Sequence, residues 1–222
     1  MLRVSYSILL VLTLNIMTLY GQVVLNEEVD FIDGIYFSCE NFNTNKPSIH
    51  SKDYYFEETP SSNNYQRYIH HLRANFPSDT LKIRNIWGIC IDGLPYINQH
   101  IIRRNYSKEA EIKNYGLFST MAYTFSRITS LGHLCQFFVG GQKSGFLKTG
   151  FENPDFFKPI VLNVTTEKII KFNYDRVLEM IITDKDLYYK YENLDIKQRN
   201  KKEVTYQMIK EFNLRNPVYL IG

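Results

Sequence analysis

Between Leu81 and Asn98 the chain alternates. Leu81, Ile83, Asn85, Trp87, Ile89 and Ile91 fall on one face at a period of two, which predicts a strand. Asp92-Gly93 follows, the dipeptide suited to a type I′ turn because both central residues need positive φ. A two-residue loop places Ile91 opposite Leu94, Cys90 opposite Pro95 and Ile89 opposite Tyr96, an aliphatic-aromatic cross-strand pair. Pro95 lacks an N–H, so the returning strand Leu94–Asn98 is expected to be an edge or to carry a bulge.

Alternation recurs in "YGLFSTMAYTFSRI" and "HLCQFFV", with Leu117, Met121, Tyr123 and Phe125 on one face and Thr120, Thr124 and Ser126 on the other. One apolar and one polar face predict an antiparallel sheet covered on one side. "KPIVLNV", residues 158–164, is a further strand, and "GIYFS" near residue 34 the first of the domain. "CENFNTNKPS" reads as a polar exit ending at Pro47, residues 50–67 as strand fragments and loop, and "RRNYSKEAEIKN" as a polar connection.

The period then changes. Ile170, Tyr174, Val177, Leu178 and Ile181 recur at helical spacing, as do Leu187, Tyr191 and Leu194, and Val204, Met208 and Phe212. Thr183 with Asp186, and Asn200 with Glu203, fit the capping-box pattern, so three short helices are expected. "NPVYLIG" leaves the last one as an extended end.

At the front, Arg3 precedes an apolar run from Ile8 to Leu19 and then Gly21, the outline of a cleavable export signal. The run is shorter than the roughly 20 residues a spanning helix needs, so cleavage before Gln22 is expected, with no membrane span afterwards. The resulting division is residues 1–21 as signal peptide, 22–164 as a β-rich domain, and 165–222 as a helical extension packed on the sheet.

Composition adds less. The 222 residues are 44% hydrophobic and 22% charged, within globular ranges. A net charge of +3 without a dense basic stripe argues against nucleic acid as a partner. Seventeen Tyr and fifteen Phe suit half-buried strands, and aromatic strand faces are also a surface that grips sugars or peptides. The odd set Cys39, Cys90 and Cys135 is no disulfide framework. Each lies among apolar neighbours, which favours buried free thiols over a single bridge or a reactive thiol.

No catalytic pattern assembles. Gly34-Ile35-Tyr36 has the first letters of the GIY-YIG nuclease signature, but the second element is missing at its required distance, and Tyr219–Gly222 lies at the far end with an extra residue. Gly140 and Gly145 have phosphate-loop spacing, yet Phe146 and Leu147 stand where Lys and Ser or Thr are needed, which leaves a glycine-rich turn. His133 and Cys135 would share a strand face, two ligands short of a metal site, and His70 and His71 would point apart. Glu57-Glu58 and Asp184/Asp186 read as solvated loop and helix-start carboxylates. Asn105 and Asn163 open glycosylation sequons that have meaning only in a eukaryotic secretory route. No catalytic, cofactor-binding or metal-ligating residue is assigned, and no cofactor is called for.

"DGIYFSCENFNTNKPS" resembles the start of the DUF6563-like family of small exported Bacteroidetes proteins of unknown function. Asp33, Gly34, Ile35, Tyr36, Ser38, Glu40, Phe42 and Pro47 match its pattern. Cys39 departs from it. "WGICIDGLPYIN" and "IKEFNLRNPVYL" are also similar to such chains. The resemblance implies a bacterial envelope setting, periplasmic or secreted, and carries no activity over to this chain.

The expected fold is therefore α+β: an antiparallel β-rich sheet, barrel or sandwich, followed by a small C-terminal helical part. The expected function is a non-enzymatic envelope module binding a peptide, glycan or protein. A hydrolase of envelope substrates with a site assembled from distant residues, and a structural or assembly role using a free edge at Leu94–Asn98, stand as alternatives.

Overall fold

The structure, a computed structural model, describes residues 23–59, 65–74, 81–106, 123–139 and 158–220. In chain order its elements are β1 (Val23–Val24), β2 (Gly34–Tyr36), α1 (Cys39–Asn43), β3 (Ile49–His50), β4 (Tyr54–Thr59), β5 (Gln66–Ala74), β6 (Gly88–Ile91), β7 (Leu94–Asn98) and α2 (Gln99–Tyr106). They continue with β8 (Tyr123–Ser130), β9 (Leu134–Val139), β10 (Lys158–Asn163), β11 (Ile169–Lys171), α3 (Tyr174–Met180), α4 (Lys185–Glu192), α5 (Ile196–Arg199), α6 (Lys202–Arg215) and β12 (Tyr219–Leu220). The fold is α+β, with antiparallel pairing throughout the described ladders and helices at the C-terminal end. The Gly-rich turn around Gly140 and Gly145, and Leu117, Thr120 and Met121, lie outside the described residues.

The β6–β7 hairpin has the expected register, with Ile91, Cys90 and Ile89 opposite Leu94, Pro95 and Tyr96. Asp92 and Gly93 sit at φ 54° and 72°, as a type I′ turn requires. Two expectations fail beside it. β6 starts only at Gly88, because residues 83–85 form a 3₁₀ turn, and the carbonyls of Ile83 and of Ile86 just after it accept from Asn98 Nδ2, each at 2.9 Å. Trp87 and Ile89 consequently enter different cores. β7 is no edge: β8 pairs its outer side from Tyr96 to Asn98, and Pro95 falls one place beyond that ladder.

The main sheet runs β11-β10-β9-β8-β7-β6-β2-β3 and does not close into a barrel. It forks at β8. One side of β8 faces β7, while the other pairs with β5 through Tyr123–Ser126 and with β9 through Ile128 and Ser130. At the fork Ser126 Oγ donates to the Phe138 carbonyl at 2.6 Å and accepts from Gln99 Nε2 at 2.8 Å, bridging the gap between diverging strands.

Both faces of the sheet are covered, not one. Tyr36, Cys90 and Ile97 from one arm and Cys135, Phe137, Ile160, Leu162 and Ile169 from the other enter a single cluster, so the sheet bends around it. The opposite face of the first arm packs Ile35, Ile69, Leu72, Ile89 and Phe125 together. The opposite face of the second packs Leu134, Val161 and Ile170 against Tyr174, Val177, Leu187, Met208 and Phe212 of the helices. Bulges allow this: β5 has an extra residue at His70, opposite Glu57/Glu58, which brings Ile69 and Leu72 to the same core despite their spacing of three.

Local signals explain the helices and their misread caps. "CENFN" is α1 and no polar exit, with Ser38 Oγ accepting from Asn41 N at 3.1 Å. α4 is capped by Asp184, not Thr183, and α6 begins after Lys201 without a side-chain cap, Asn200 having ended α5. Four helices thus follow the sheet instead of three, and Ile170 belongs to β11. β12 pairs with β1, Val23 opposite Leu220 and Val24 opposite Tyr219.

Candidate functional site

Of the groups named for chemistry in the sequence, the fold brings Tyr36, Cys39, Cys90 and Cys135 into one buried cluster. Cys39, Cys90 and Cys135 are free, buried thiols. Burial pushes all three upward, Cys135 to about 12, and they bond to the Val164 carbonyl, Asp33 and the Gly132 carbonyl. His133 and Cys135 do not share a face. β9 starts at Leu134, and His133 packs edge-on to Phe212 at 5.1 Å while Cys135 enters the sheet-enclosed cluster. His133 is shifted down by burial. Among the described residues no group of three metal-ligating side chains comes together.

Tyr36 is scaffolding. Its hydroxyl donates to the Ile32 carbonyl at 2.7 Å and contacts Asn45 Oδ1 at 3.0 Å, and burial raises it above its ordinary range. Glu40 is exposed in the first turn of α1. Glu57-Glu58 lie on β4 and not in a loop, and Glu58 pairs with Arg67 at 2.6 Å. Asp184 accepts from Leu187 N and binds Arg215 through both oxygens. Tyr219 pairs with β1 in a separate two-stranded sheet, not with the Gly34–Tyr36 strand.

Several strand aromatics are core: Tyr36, Phe125 and Phe137 are essentially inaccessible, whereas Tyr55 and Tyr219 are exposed. The concave surface lies elsewhere. A groove of about 830 Å³ opens between the residues after β1, the β8–β9 turn and the outward face of α6. Its apolar wall contains Leu131, Tyr206, Leu214 and Pro217, with Leu214 74% exposed. Ile209 is buried in the floor, anchored to the helical core.

The polar half of the groove is built from amides. Asn213 reaches from α6 to the start of β9, accepting from Leu134 N at 2.7 Å and donating to the Leu134 carbonyl at 2.9 Å. That reciprocal pair locks the helix to the strand and spends the Asn213 amide. Gln136 is different. It lines the groove at 6% exposure, and its Nε2 is buried without a partner among the described residues. An unspent buried amide N–H is costly and is best satisfied by an incoming acceptor. Thr129, the extra residue of the β8 bulge, fixes the strand beneath by donating to the Gln136 carbonyl at 3.3 Å. Glu27 and Glu28 stand at one rim and Lys210 at the other.

The side chains with strongly displaced proton affinities, Tyr36, Cys39, Tyr54, Cys90, Cys135 and Tyr191, line neither this groove nor the second one at the start of α6. Each is raised mainly by burial. The arrangement can hold a ligand by apolar contact and amide hydrogen bonds. No residue of the groove was singled out from the sequence. Its walls come from three segments separated by 70 positions or more, and Gln136 read only as one polar letter in a strand.

No helix among the described residues is long and apolar enough to cross a membrane. Comparison with known proteins gives no match: no family model, no curated protein and no solved structure is similar to this chain.

Proposed function

We propose that the protein is an exported module of a bacterial envelope that binds an extended segment of a partner polypeptide, without chemical turnover, in the groove between α6 and the β8–β9 turn. The carrying observation is the unspent Gln136 Nε2 in a groove that also exposes Leu214 and Tyr206. An apolar side chain on the wall and a backbone carbonyl at Gln136 are what a polypeptide offers together. The apolar run behind Arg3 and the resemblance to exported chains support the envelope setting. The location of the most strongly displaced groups in the cores, outside the grooves, supports binding over catalysis.

Affinity capture from the envelope fraction, repeated with Leu214→Glu and Gln136→Leu, tests the reading. A partner retained by the parent protein and lost by both variants, with thermal unfolding of Leu214→Glu unchanged, is the expected result. Capture indifferent to both substitutions would overturn it, and shortened peptide products on incubation would favour the hydrolase.

A further inference from the structure

A second groove, of about 610 Å³, lies where β10 and β11 meet α5 and the first turn of α6. Lys158, Arg199, Lys201 and Lys202 line it against a single carboxylate, Asp175. Three excess positive charges in one recess equal the formal net charge of the entire chain, +3. Like charges gathered in a concave, low-dielectric wall focus potential on whatever enters.

These cations are not consumed by the fold. Lys158, Lys201 and Lys202 are exposed, and none forms an ion pair among the described residues. Arg199 is held in place by carbonyls instead of carboxylates: Nε donates to Leu194 O at 2.8 Å, Nη2 donates to Glu192 O, and the guanidinium lies 5.8 Å from the Tyr174 ring centre. Its charge is thus fixed but not neutralised. α6 opens into the same recess at Lys202 with no capping side chain, so the positive end of a 14-residue helix adds to the field.

The ligand class follows from size and from the wall opposite the charges. A lone phosphate would leave most of 610 Å³ empty, a volume in the range of small-ligand sites. Phe172 supplies an apolar ring face, half-buried and backed by Tyr206 at 4.5 Å between centroids, and that ring pair separates this groove from the first. An aromatic face for C–H groups, next to several cations for acid groups, matches a charged sugar better than a peptide or a bare anion. We infer that this groove binds an acidic saccharide, a sugar chain bearing carboxylate or phosphate groups, at a site distinct from the polypeptide groove.

Calorimetric titration of the full chain tests this with a galacturonate hexamer, a phosphorylated mannose oligosaccharide, neutral cellohexaose and inorganic phosphate. At least one acidic sugar is expected to bind, cellohexaose and phosphate to bind at least about tenfold more weakly, and added salt to weaken the interaction. The Lys201→Glu/Lys202→Glu variant is expected to lose about tenfold or more in affinity. Lys46→Glu, a charge reversal at an exposed position outside this groove, is expected to leave affinity unchanged. Binding of neither acidic sugar, equal binding of cellohexaose or phosphate, or equal loss in Lys46→Glu would each overturn the inference. Thermal unfolding of each variant separates lost binding from lost folding.

Discussion

The carboxylate of Asp33 accepts the backbone N–H of Gly93 at 2.9 Å, joining the approach to β2 to the tip of the β6–β7 hairpin. The same carboxylate accepts from Asp92 N at 3.2 Å and lies 3.4 Å from Cys90 Sγ. Asp33 is therefore an external cap on a turn whose own chain cannot satisfy those donors. Asp33→Ala is expected to cost about 2 kcal/mol, measured by denaturant unfolding, because charge-assisted bonds are lost. Asp33→Asn, which keeps one acceptor oxygen, should cost less; equal stability of all three proteins would remove the cap from the account.

Gly34 and Gly93 are glycine for different reasons, and alanine should separate them. At Gly93 (φ 72°) an added Cβ meets nothing within 4 Å, so only backbone strain opposes it, about 1 kcal/mol. At Gly34 a Cβ would stand 2.5 Å from both the Ile49 carbonyl and Pro47 Cβ. Gly34→Ala must push β2 and β3 apart and is expected to cost about 3 kcal/mol. Chemical denaturation of the two variants should give that order, and the reverse order would contradict the packing of β2.

The three thiols should be silent in the native protein. Cys39 and Cys90 are raised by burial, and Cys135 is pushed up to about 12. Thiolate is the reactive form, so a thiol-titrating disulfide reagent at pH 8 should modify none of the three before unfolding and all three in denaturant. Rapid native modification of any one would show that its cluster opens.

Asp184 ties α4 to the end of α6, accepting from Leu187 N at 3.1 Å and from Arg215 at 2.7 and 2.8 Å. The Arg215 hydrogen bonds hold its carboxyl below the ordinary carboxylate value. A group with a depressed folded-state pKa contributes stability that is full above its unfolded value, about 4, and disappears as pH falls through the folded value. Asp184→Asn should accordingly flatten the acid limb of a stability-versus-pH curve below about pH 4. An unchanged acid limb would mean that Arg215 releases the carboxylate in solution.

Legibility followed sequence distance. The β6–β7 register was readable to the residue because its determinants, alternation and Asp92-Gly93, lie within the hairpin. The standing of β7 was not, since its second partner β8 begins at Tyr123 and nothing near Pro95 announces it. Polar letters misled twice: Thr124 and Ser126 look like a solvent face, yet both are buried because two arms of the sheet and α2 meet there. α1 was hidden by its shortness, its only mark being Ser38 before Cys39. Neither groove was visible, since α6 acquires walls opposite it only when β1, the β8–β9 turn and the β10–β11 region arrive from elsewhere.

The fork at β8 has a consequence for the order of assembly during synthesis. β2 through β7 can zip into local hairpins as they emerge, but β5 has no place beside β7 until residues 123–130 supply the strand between them. β9, β10 and β11 then grow outward from the lower half of that same strand, and the helices dock last onto a face that did not exist before. The 122 residues that precede Tyr123, more than half of the chain, thus wait on eight residues, and during that wait their apolar strand faces are open to other chains.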